Sequence, residues 1–396
     1  MSEARAEGDA TAASPSSRPT IPAARYRERL ERAVGAAAEA GFDALLVGSG
    51  PDLRYLTGYE TLPLERLTLL VLPVDGDPVL VVPRLERPAA EAGLRVEVPI
   101  VAWDETDDPY AIVAGRVGGR FGAPPRLAVS DRLWALHLLR LEAALPSAEF
   151  SPASVVLRRL RMRKDADEVR LLAAAAAAAD RVVEAVARGR LVGRTEADVA
   201  HEVRERLVAE GHERAEFAIV GSGPNSASPH HEPGDRRIEP GEPIVLDIGG
   251  SLAGYGSDVT RTIWVTGGDP SRGPDATFRE IYALVQDAQA KAVAAVRPGV
   301  PAEALDAVAR SVIEAAGYGA AFIHRTGHGI GLEGHEDPYL VAGNPEPIAP
   351  GMAFSIEPGI YLEGRYGVRI EDIVVCGERG AVVLNGVDRD LLVVEG

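Results

Sequence analysis

The hydrophobic pattern of the first third of the chain alternates short apolar runs with helical stretches. Between residues 21 and 154, runs of strand length occupy residues 44–47, 67–74, 79–82, 98–101 and 127–130. Such an alternation is typical of a small α/β domain. The sequence therefore predicts an N-terminal α/β domain over residues 21–157, and we find no candidate chemistry in it.

A basic junction, LRRLRMRK at residues 157–164, separates this part from a long predicted helix. Asp165 and Glu168 have the three-residue spacing of a capping box, which starts a helix. The helix continues through seven consecutive alanines at residues 173–179. We therefore expect a boundary between residues 155 and 165, with a second domain over residues 165–396.

The second domain carries a weak internal duplication. A helical segment between glycines 18 residues apart occurs at residues 193–211 and again at 299–317, and each is followed by a hairpin that opens with Pro-Gly. Six residues after the glycine of that pair stands a carboxylate, Asp247 in the first half and Glu357 in the second. A second carboxylate follows in each half, Asp258 and Glu371. Two related halves would bring the four acids together at the axis between them.

The first hairpin, PIVLDIGGSLAGYGSDVTRT at residues 243–262, suggests a metal. Its apolar run is expected to place Asp247 at the end of a strand, the glycines of residues 249–254 to turn the backbone, and Asp258 to begin the return strand. Two aspartates facing each other across a hairpin repel, and a dication between them removes the repulsion. The alternative is a pair of solvated aspartates flanking a turn.

Four buried carboxylates without cations would cost several kcal/mol each, and two divalent ions would balance their charge. Five of the eight histidines fall in two short stretches, SASPHHEP and IHRTGHGIGLEGHEDP. His328 is the predicted metal ligand, because its flanking glycines let the backbone approach an ion closely. The remaining candidates, left to hydrogen-bond a substrate or stabilise charge, are His230, His324 and His335. Oxygen and imidazole donors suit manganese, cobalt, iron or zinc.

Composition and net charge limit which classes of partner and which cellular location the protein can have. The 396 residues are 46% hydrophobic and 26% charged, and the length favours two domains. A net charge of −17 argues against nucleic acid or an anionic membrane as a partner. The single cysteine, Cys376, lies in an apolar run and is expected to be a buried structural thiol. These properties predict a soluble, cytoplasmic protein.

Two further observations remove competing interpretations. Residues 1–20 lack the apolar core of a signal peptide and are expected to form a disordered tail, and no apolar stretch reaches the ~20 residues of a membrane span. A nucleophile elbow, a Walker lysine and an HExxH motif are all missing from the sequence.

The second domain resembles the pita-bread metallopeptidases, the family of methionine aminopeptidase, aminopeptidase P and prolidase. Five elements carry the resemblance in the family's order: VLDIGG…GYGSDVTRT, GSGPNSASPHHEP, HRTGHGIGLEGHEDP, AFSIEPGIY and GVRIEDIVV. The first domain is similar to the creatinase-type N-terminal domain, including LRYLTGY at residues 53–59. The resemblance implies an α/β two-domain fold, with a small creatinase-type N-terminal α/β domain and a pita-bread α+β catalytic domain of pseudo-twofold duplication.

The resemblance also assigns roles to residues. It implies five ligands for two divalent ions, of which manganese is the first choice and Co²⁺, Zn²⁺ and Fe²⁺ are alternatives. The implied ligands are Asp247, Asp258, His328, Glu357 and Glu371. The implied catalytic residues are His230, His324, His335, Glu357 and Arg369, with His230 and His335 also binding substrate and Thr260 lying beside the metals.

The function implied by this resemblance is metal-dependent hydrolysis of the bond preceding proline. A bacterial Xaa-Pro dipeptidase of the prolidase type is the nearest likeness, acting on a proline-containing dipeptide or short peptide as a homodimer. Two alternatives within the fold are an Xaa-Pro aminopeptidase that takes longer peptides and a hydrolase of a small non-peptide metabolite. A third alternative is a pita-bread domain that only binds other proteins, although such domains typically have lost ligands.

Overall fold

The computed structural model describes residues 19–117 and 124–396, so the predicted tail lies outside the described residues except for residues 19 and 20. The N-terminal unit contains a six-stranded sheet and its helices. Its strands are β1 (Ala44–Gly48), β2 (Leu69–Pro73), β3 (Val79–Pro83), β4 (Ile100–Trp103), β5 (Arg126–Val129) and β6 (Glu149–Pro152). Its helices are α1 (Ala23–Glu39), α2 (Pro51–Thr57), α3 (Arg87–Gly93), α4 (Pro109–Val117), α5 (Ala135–Ala144) and α6 (Ser154–Met162).

The six strands lie in the order β4-β3-β2-β1-β5-β6, with β2 antiparallel to both of its neighbours. The predicted apolar runs form β1 to β5, while β6 was not predicted because its sequence EFSP has no apolar run. Helix α6 packs Val156, Leu157 and Leu160 into the core of this unit. The sheet therefore buries one face against α1 and α6, as expected for an α/β layer structure.

The second unit begins with the predicted capping box. Asp165 Oδ1 accepts hydrogen bonds from the backbone N–H of Asp167 at 2.8 Å and of Glu168 at 3.0 Å, and Glu168 Oε2 accepts from the Asp165 N–H at 3.0 Å. This cap starts α7 (Ala166–Ala187), which contains the seven predicted alanines. Small side chains let α7 lie close to the strands beneath it, and Ala175 and Ala179 are fully buried there.

The remaining elements form two five-stranded sheets, a two-stranded ribbon and three more helices. The strands are β7 (Arg214–Ser222), β8 (Glu242–Leu252), β9 (Tyr255–Gly256), β10 (Val259–Val265), β11 (Gly327–Gly329), β12 (Glu336–Leu340), β13 (Ala353–Ile356), β14 (Gly359–Leu362), β15 (Tyr366–Arg369), β16 (Asp372–Gly377), β17 (Gly380–Val383) and β18 (Leu392–Val394). The helices are α8 (Glu196–Ala209), α9 (Ala276–Ala295) and α10 (Ala302–Ala315). Short 3₁₀ turns lie at Arg84–Glu86, Gly223–Ala227, Pro270–Arg272 and Gly319–Ala321.

The duplication predicted from the sequence is visible in the sheets. The first sheet has the order β18-β10-β8-β7 with β9 beside β8, and the second has the order β12-β11-β13-β16-β17. In each sheet an antiparallel pair, β8 with β10 and β13 with β16, carries the two acids of that half. An antiparallel bridge between Thr260 and Glu371 connects the two sheets.

The predicted course of the first hairpin was wrong. Strand β8 continues through Gly249 and Gly250 to Leu252, so Asp247 lies in the middle of the strand, and the backbone turns at Ala253 and Gly254 with positive φ. The two glycines serve close packing instead. A Cβ at Gly249 would lie 2.3 Å from the carbonyl oxygen of Ser257 and 2.4 Å from the Phe217 ring.

Two other expectations concern the single cysteine and membrane-spanning helices. Cys376 is buried in the core formed around α9 and α10, as predicted. Among the described residues, no helix is both long enough and apolar enough to span a membrane.

Candidate active site

A cavity of about 520 Å³ lies where the two sheets of the second unit meet. Every metal ligand and every catalytic residue predicted from the sequence lines this cavity. The residues lining it are Phe217, Ile219, Pro229, His230, Asp247, Asp258, His324, Arg325, His328, His335, Glu357, Arg369 and Glu371.

Each half of the unit contributes acids from equivalent strands. Asp247 lies in β8 directly opposite Thr260 of β10, and Asp258 immediately precedes β10. In the second half, Glu357 directly follows β13 and Glu371 directly precedes β16. Thr260 joins the halves, because its Oγ1 donates to Glu371 Oε2 at 2.6 Å and its carbonyl accepts from the Glu371 N–H at 3.1 Å.

Arg261, the next residue in β10, fixes the backbone of Glu371 from the far side. Its guanidinium donates to the Glu371 carbonyl oxygen at 2.7 Å and to Asp372 Oδ1 at 2.8 Å, and all three residues are buried. Buried arginine–carboxylate contacts of this kind orient a segment strongly. The position of Glu371 is therefore set by residues of the other half.

His328 brings an imidazole to the acids. Its Nδ1 lies 3.1 Å from the Gly329 carbonyl oxygen, which can only accept, so Nδ1 carries a proton and Nε2 faces the carboxylates. Nε2 lies 3.2 Å from Glu357 Oε1 and 3.7 Å from Asp258 Oδ2. Ser355 supports both residues, since its Oγ accepts from the His328 N–H and donates to Glu357 Oε1, each at 3.0 Å.

Charge in the cluster is strongly perturbed. Burial, together with repulsion from neighbouring acids, raises the pKa of Asp258 and of Glu371 well above the ordinary values. Burial acts on Glu357 in the same direction, but the hydrogen bond with His328 and other nearby cationic groups lower its pKa to about 2. The acids are therefore a group that a cation would stabilise.

The residues present fit a divalent metal centre. Donor atoms of Asp258, His328 and Glu371 all lie within 4.8 Å of one another, and the three side chains are buried. Asp247 Oδ1 is buried and has no hydrogen-bond partner among the described residues. An orphaned carboxylate oxygen is costly, and coordination would remove that cost. Oxygen and nitrogen donors without thiolate suit a hard or borderline dication.

Arg369 organises one wall of the cavity. Its Nη2 donates to Asp247 Oδ2 at 2.5 Å and its Nη1 donates to Tyr361 Oη at 2.8 Å. Tyr361 Oη in turn lies 2.8 Å from His324 Nε2. His324 Nδ1 lies 2.7 Å from the Arg325 carbonyl oxygen, so Nδ1 donates and Nε2 accepts from the tyrosine hydroxyl. A chain of donors thus runs from the arginine through the tyrosine to the histidine.

The other histidines lie nearer the solvent. The His335 ring packs against the His328 ring at a tilt of 34°, with ring centroids 3.7 Å apart, and His335 Nδ1 accepts from Arg325 Nη2 at 3.1 Å. Burial, aided by the neighbouring cations, lowers the pKa of His335 to about 4. It is then neutral at pH 7 with its proton on Nε2, a hydrogen-bond donor. His230 is exposed at the edge of the cavity, whereas His231 binds the buried Glu196 at 2.7 Å.

Sequence reasoning missed five residues of this site: Tyr361, Arg325, Pro229, Phe217 and Ile219. Pro229 directly precedes the predicted His230. Tyr361 lies in the strand AFSIEPGIY that supported the resemblance, and Arg325 directly follows His324, so proximity to a predicted residue was the available signal for both. Phe217 and Ile219 alternate along β7 toward the cavity, and no local motif distinguishes them from core residues.

The fold and the acid cluster define a two-domain metallopeptidase. The model of metallopeptidase family M24 matches residues 170–378, and the model of the creatinase/prolidase N-terminal domain matches residues 29–163. The chain belongs to metallopeptidase family M24.

Individual relatives resemble the chain over nearly its whole length. A probable dipeptidase PepE of Mycobacterium tuberculosis is 49% identical over 376 residues, covering 93% of this chain and 96% of that protein. An Xaa-Pro dipeptidase of Lactobacillus helveticus is 36% identical over 357 residues, covering 89% and 95%. The crystal structure of dipeptidase PepE from Mycobacterium ulcerans has a TM-score of 0.87 and 47% identity, covering 94% of this chain and 99% of that one.

Proposed function

We propose that the protein hydrolyses the peptide bond preceding proline in Xaa-Pro dipeptides, with two divalent ions held in the cavity. One observation carries the proposal: four carboxylates and His328 converge in a cavity large enough for a small peptide, and Asp247 Oδ1 has no hydrogen-bond partner within the described part of the chain. The similar proteins named Xaa-Pro dipeptidase and dipeptidase support the same activity. The proposed ligands are Asp247, Asp258, His328, Glu357 and Glu371.

The ions, when bound, would supply Lewis acidity and lower the pKa of a water molecule. The chain's own groups then have separate tasks. Glu357 is ionised at neutral pH and can accept the proton that such a water loses. Arg369 holds Asp247 in one orientation through the contact to its Oδ2, which leaves Oδ1 available to hold an ion.

The neutral histidines suit the charge that develops on the scissile carbonyl oxygen. His335 has its Nε2 proton available, because Nδ1 is occupied by Arg325. His324 has both nitrogens engaged, so it acts here by fixing Tyr361 and the wall around Arg369. His230, exposed at the mouth, is placed to contact the substrate as it enters.

A proline nitrogen in a peptide bond has no N–H, so its site needs no acceptor for one. Phe217, Ile219 and Pro229 supply the apolar part of the cavity wall. Apolar surface beside a tertiary amide favours the pyrrolidine ring over a residue whose N–H would lose its hydrogen bond to water.

In this proposal Arg325 makes the enzyme prefer dipeptides to longer peptides. It is half-buried in the cavity, one N–H reaches His335, and its guanidinium lies 4.4 Å from the centroid of the Tyr339 ring. Among the described residues no carboxylate pairs with it, whereas Arg369 is paired with Asp247. A guanidinium has five N–H donors, so Arg325 has capacity left to bind the carboxylate of a dipeptide.

The test is product analysis by mass spectrometry of manganese-loaded protein with an Xaa-Pro dipeptide and an Xaa-Pro-Yaa tripeptide together. Cleavage of the dipeptide alone is expected. Cleavage of the tripeptide would point to an aminopeptidase, and cleavage of neither, with metal bound, would refute the proposed activity. Asp258→Ala should lose both activity and metal, and an active variant with normal metal content would refute the dinuclear site.

Manganese, the homodimer and the cytoplasmic location stay predictions from the sequence and its resemblance. Metal analysis of protein purified without added metal tests the first, and analytical ultracentrifugation tests the second. Separation of cytoplasm from membranes and secreted protein tests the third.

A further inference from the structure

The loop after β11 and the first two residues of β12 together carry His335 and three acids. These are Glu333, Glu336 and Asp337, and the side chains of Glu333 and Glu336 are 14% and 8% exposed. Their partners all come from the N-terminal unit or from the segment that connects the two units. Acids buried to this degree are stable only when paired, so the partners determine where the loop lies.

The ion pairs form a connected set. Lys164 Nζ lies 2.5 Å from Glu336 Oε1, and Arg161 Nη2 lies 2.5 Å from Glu336 Oε2 and 2.6 Å from Glu333 Oε2. The other guanidinium nitrogen of Arg161 contacts Asp52 of the N-terminal unit at 2.8 Å. Two outer pairs flank this centre, Arg132 with Glu333 and Arg158 with Asp337.

The cations are themselves fixed from both sides. Helix α6, which bears Arg158 and Arg161, is packed in the N-terminal core through Leu157 and Leu160. The Lys164 N–H donates to the Gly351 carbonyl oxygen at 2.8 Å, just before β13. The loop also makes an apolar contact, since Leu332 packs against the N-terminal core. The side chain of Lys164 is 1% exposed, so its charge is directed to the ion pair with Glu336 and not to solvent.

There is space into which the loop could otherwise move. A second cavity of about 210 Å³ lies between the units, and His335 borders it as well as the candidate active site. On the loop itself, a Cβ at Gly331 would lie 2.6 Å from Glu336 Oε1 and 3.0 Å from Lys164 Cε, so the backbone is closely fitted around the pair.

We propose that Lys164 and Arg161 are positioning residues: by pairing with Glu336 and Glu333 they hold His335 against His328, so α6 of the N-terminal unit and the segment that follows it form part of the catalytic apparatus. The proposal rests on the proposed function only for its kinetic readout. The histidine is adjacent in sequence to Glu336, and a displacement of about 1 Å is enough to weaken a positioned donor substantially.

The variant that tests this is Lys164→Met, and the chain offers a matched control. Lys291, the other lysine, pairs with Asp287 at 2.7 Å on the surface of α9, so Lys291→Met removes an equivalent but exposed pair. Lys164→Met should reduce kcat/KM for an Xaa-Pro dipeptide by about tenfold or more, while Lys291→Met stays within about twofold of the parent. Lys164→Arg should restore most of the loss.

A second measurement separates positioning from general damage. In a His335→Ala background, Lys164→Met should change kcat/KM by less than about twofold, because the group it positions is gone. Equal losses in both backgrounds would overturn the proposal. Should Lys164→Met fail to fold, Glu333→Gln, which removes the charge pairs of Glu333 with Arg132 and Arg161, replaces it in the same cycle.

Hydrogen–deuterium exchange tests the ion pairs of Lys164 and Arg161 with Glu336 and Glu333, here called the clamp, without any substrate. Peptides covering residues 331–337 should exchange faster in Lys164→Met than in the parent or in Lys291→Met, with the exchange of α7 unchanged. Faster exchange in a protein that cleaves no Xaa-Pro peptide would support the clamp while refuting the proposed function. Unchanged exchange in a folded Lys164→Met variant would refute the clamp.

Discussion

Replacing Arg325 tests how the cavity distinguishes a dipeptide from a longer peptide. Arg325 is a cation of the cavity that no carboxylate among the described residues pairs with. The Arg325→Gln variant removes this charge but keeps an amide donor for His335. A hydrogen bond to a charged group contributes ~1.5–3 kcal/mol, which corresponds to about 10- to 150-fold in kcat/KM. Because the carboxylate is bound equally in the ground state and the transition state, the loss should be in KM.

The assay compares an Xaa-Pro dipeptide with the same dipeptide as its C-terminal amide, which lacks the carboxylate charge. The variant should lose activity toward the free acid and keep that toward the amide within about threefold, since the loss of stacking on Tyr339 affects both substrates alike. Arg206→Gln, at an exposed arginine paired with Glu202 on α8, is the control and should change neither. Equal losses for acid and amide would show that Arg325 does not bind the carboxylate.

Three further predictions follow from contacts around the site. Tyr361→Phe removes the hydroxyl between Arg369 and a histidine, and we expect kcat to fall about tenfold with metal content unchanged, as measured by steady-state kinetics and metal analysis. Burial raises the pKa of Glu168 to about 7, so the ionisation of Glu168 lowers the unfolding free energy as pH rises from the ordinary glutamate pKa through 7. Glu168→Gln should reduce the loss of unfolding free energy between pH 5 and pH 8 by about 2.5 kcal/mol, and equal urea-unfolding profiles would contradict this. Gly249→Ala should lower the melting temperature by several degrees because its Cβ meets backbone, whereas Gly35→Ala, with open space in α1, should raise it slightly.

The acids of the candidate site could be predicted because they recur at the same spacing from a local sequence motif in both halves of the second domain. Asp247 and Glu357 each stand six residues after the glycine of a Pro-Gly pair. In the structure these equal spacings place the two acids at similar positions of two antiparallel strand pairs, β8 with β10 and β13 with β16. The two-domain fold was predicted and is confirmed by the matching family models. The capping box at Asp165 was equally local, and the structure reproduces it.

What could not be predicted depends on contacts between distant segments. The extended path of Gly249 is determined by the Phe217 ring on the neighbouring strand, which the hairpin sequence does not contain. Likewise, the basic junction LRRLRMRK is recognisable only as a charged segment, because two of the acids that pair with Arg161 lie 172 and 175 residues further along. The hydrogen bond between Tyr361 and His324 joins strand β14 to the loop before β11, and these two segments meet only in the folded protein.

The contacts of Arg261 and Thr260 across the boundary between the two sheets determine how a substrate can reach the site. Opening the catalytic unit by a hinge between its halves would break the Thr260–Glu371 hydrogen bond and the bonds from Arg261 to the Glu371 carbonyl and Asp372, all of them buried. Such a motion has a high free-energy cost. Peptide entry and product exit are therefore expected to occur through the mouth of the cavity beside His230, with the two halves staying together throughout turnover.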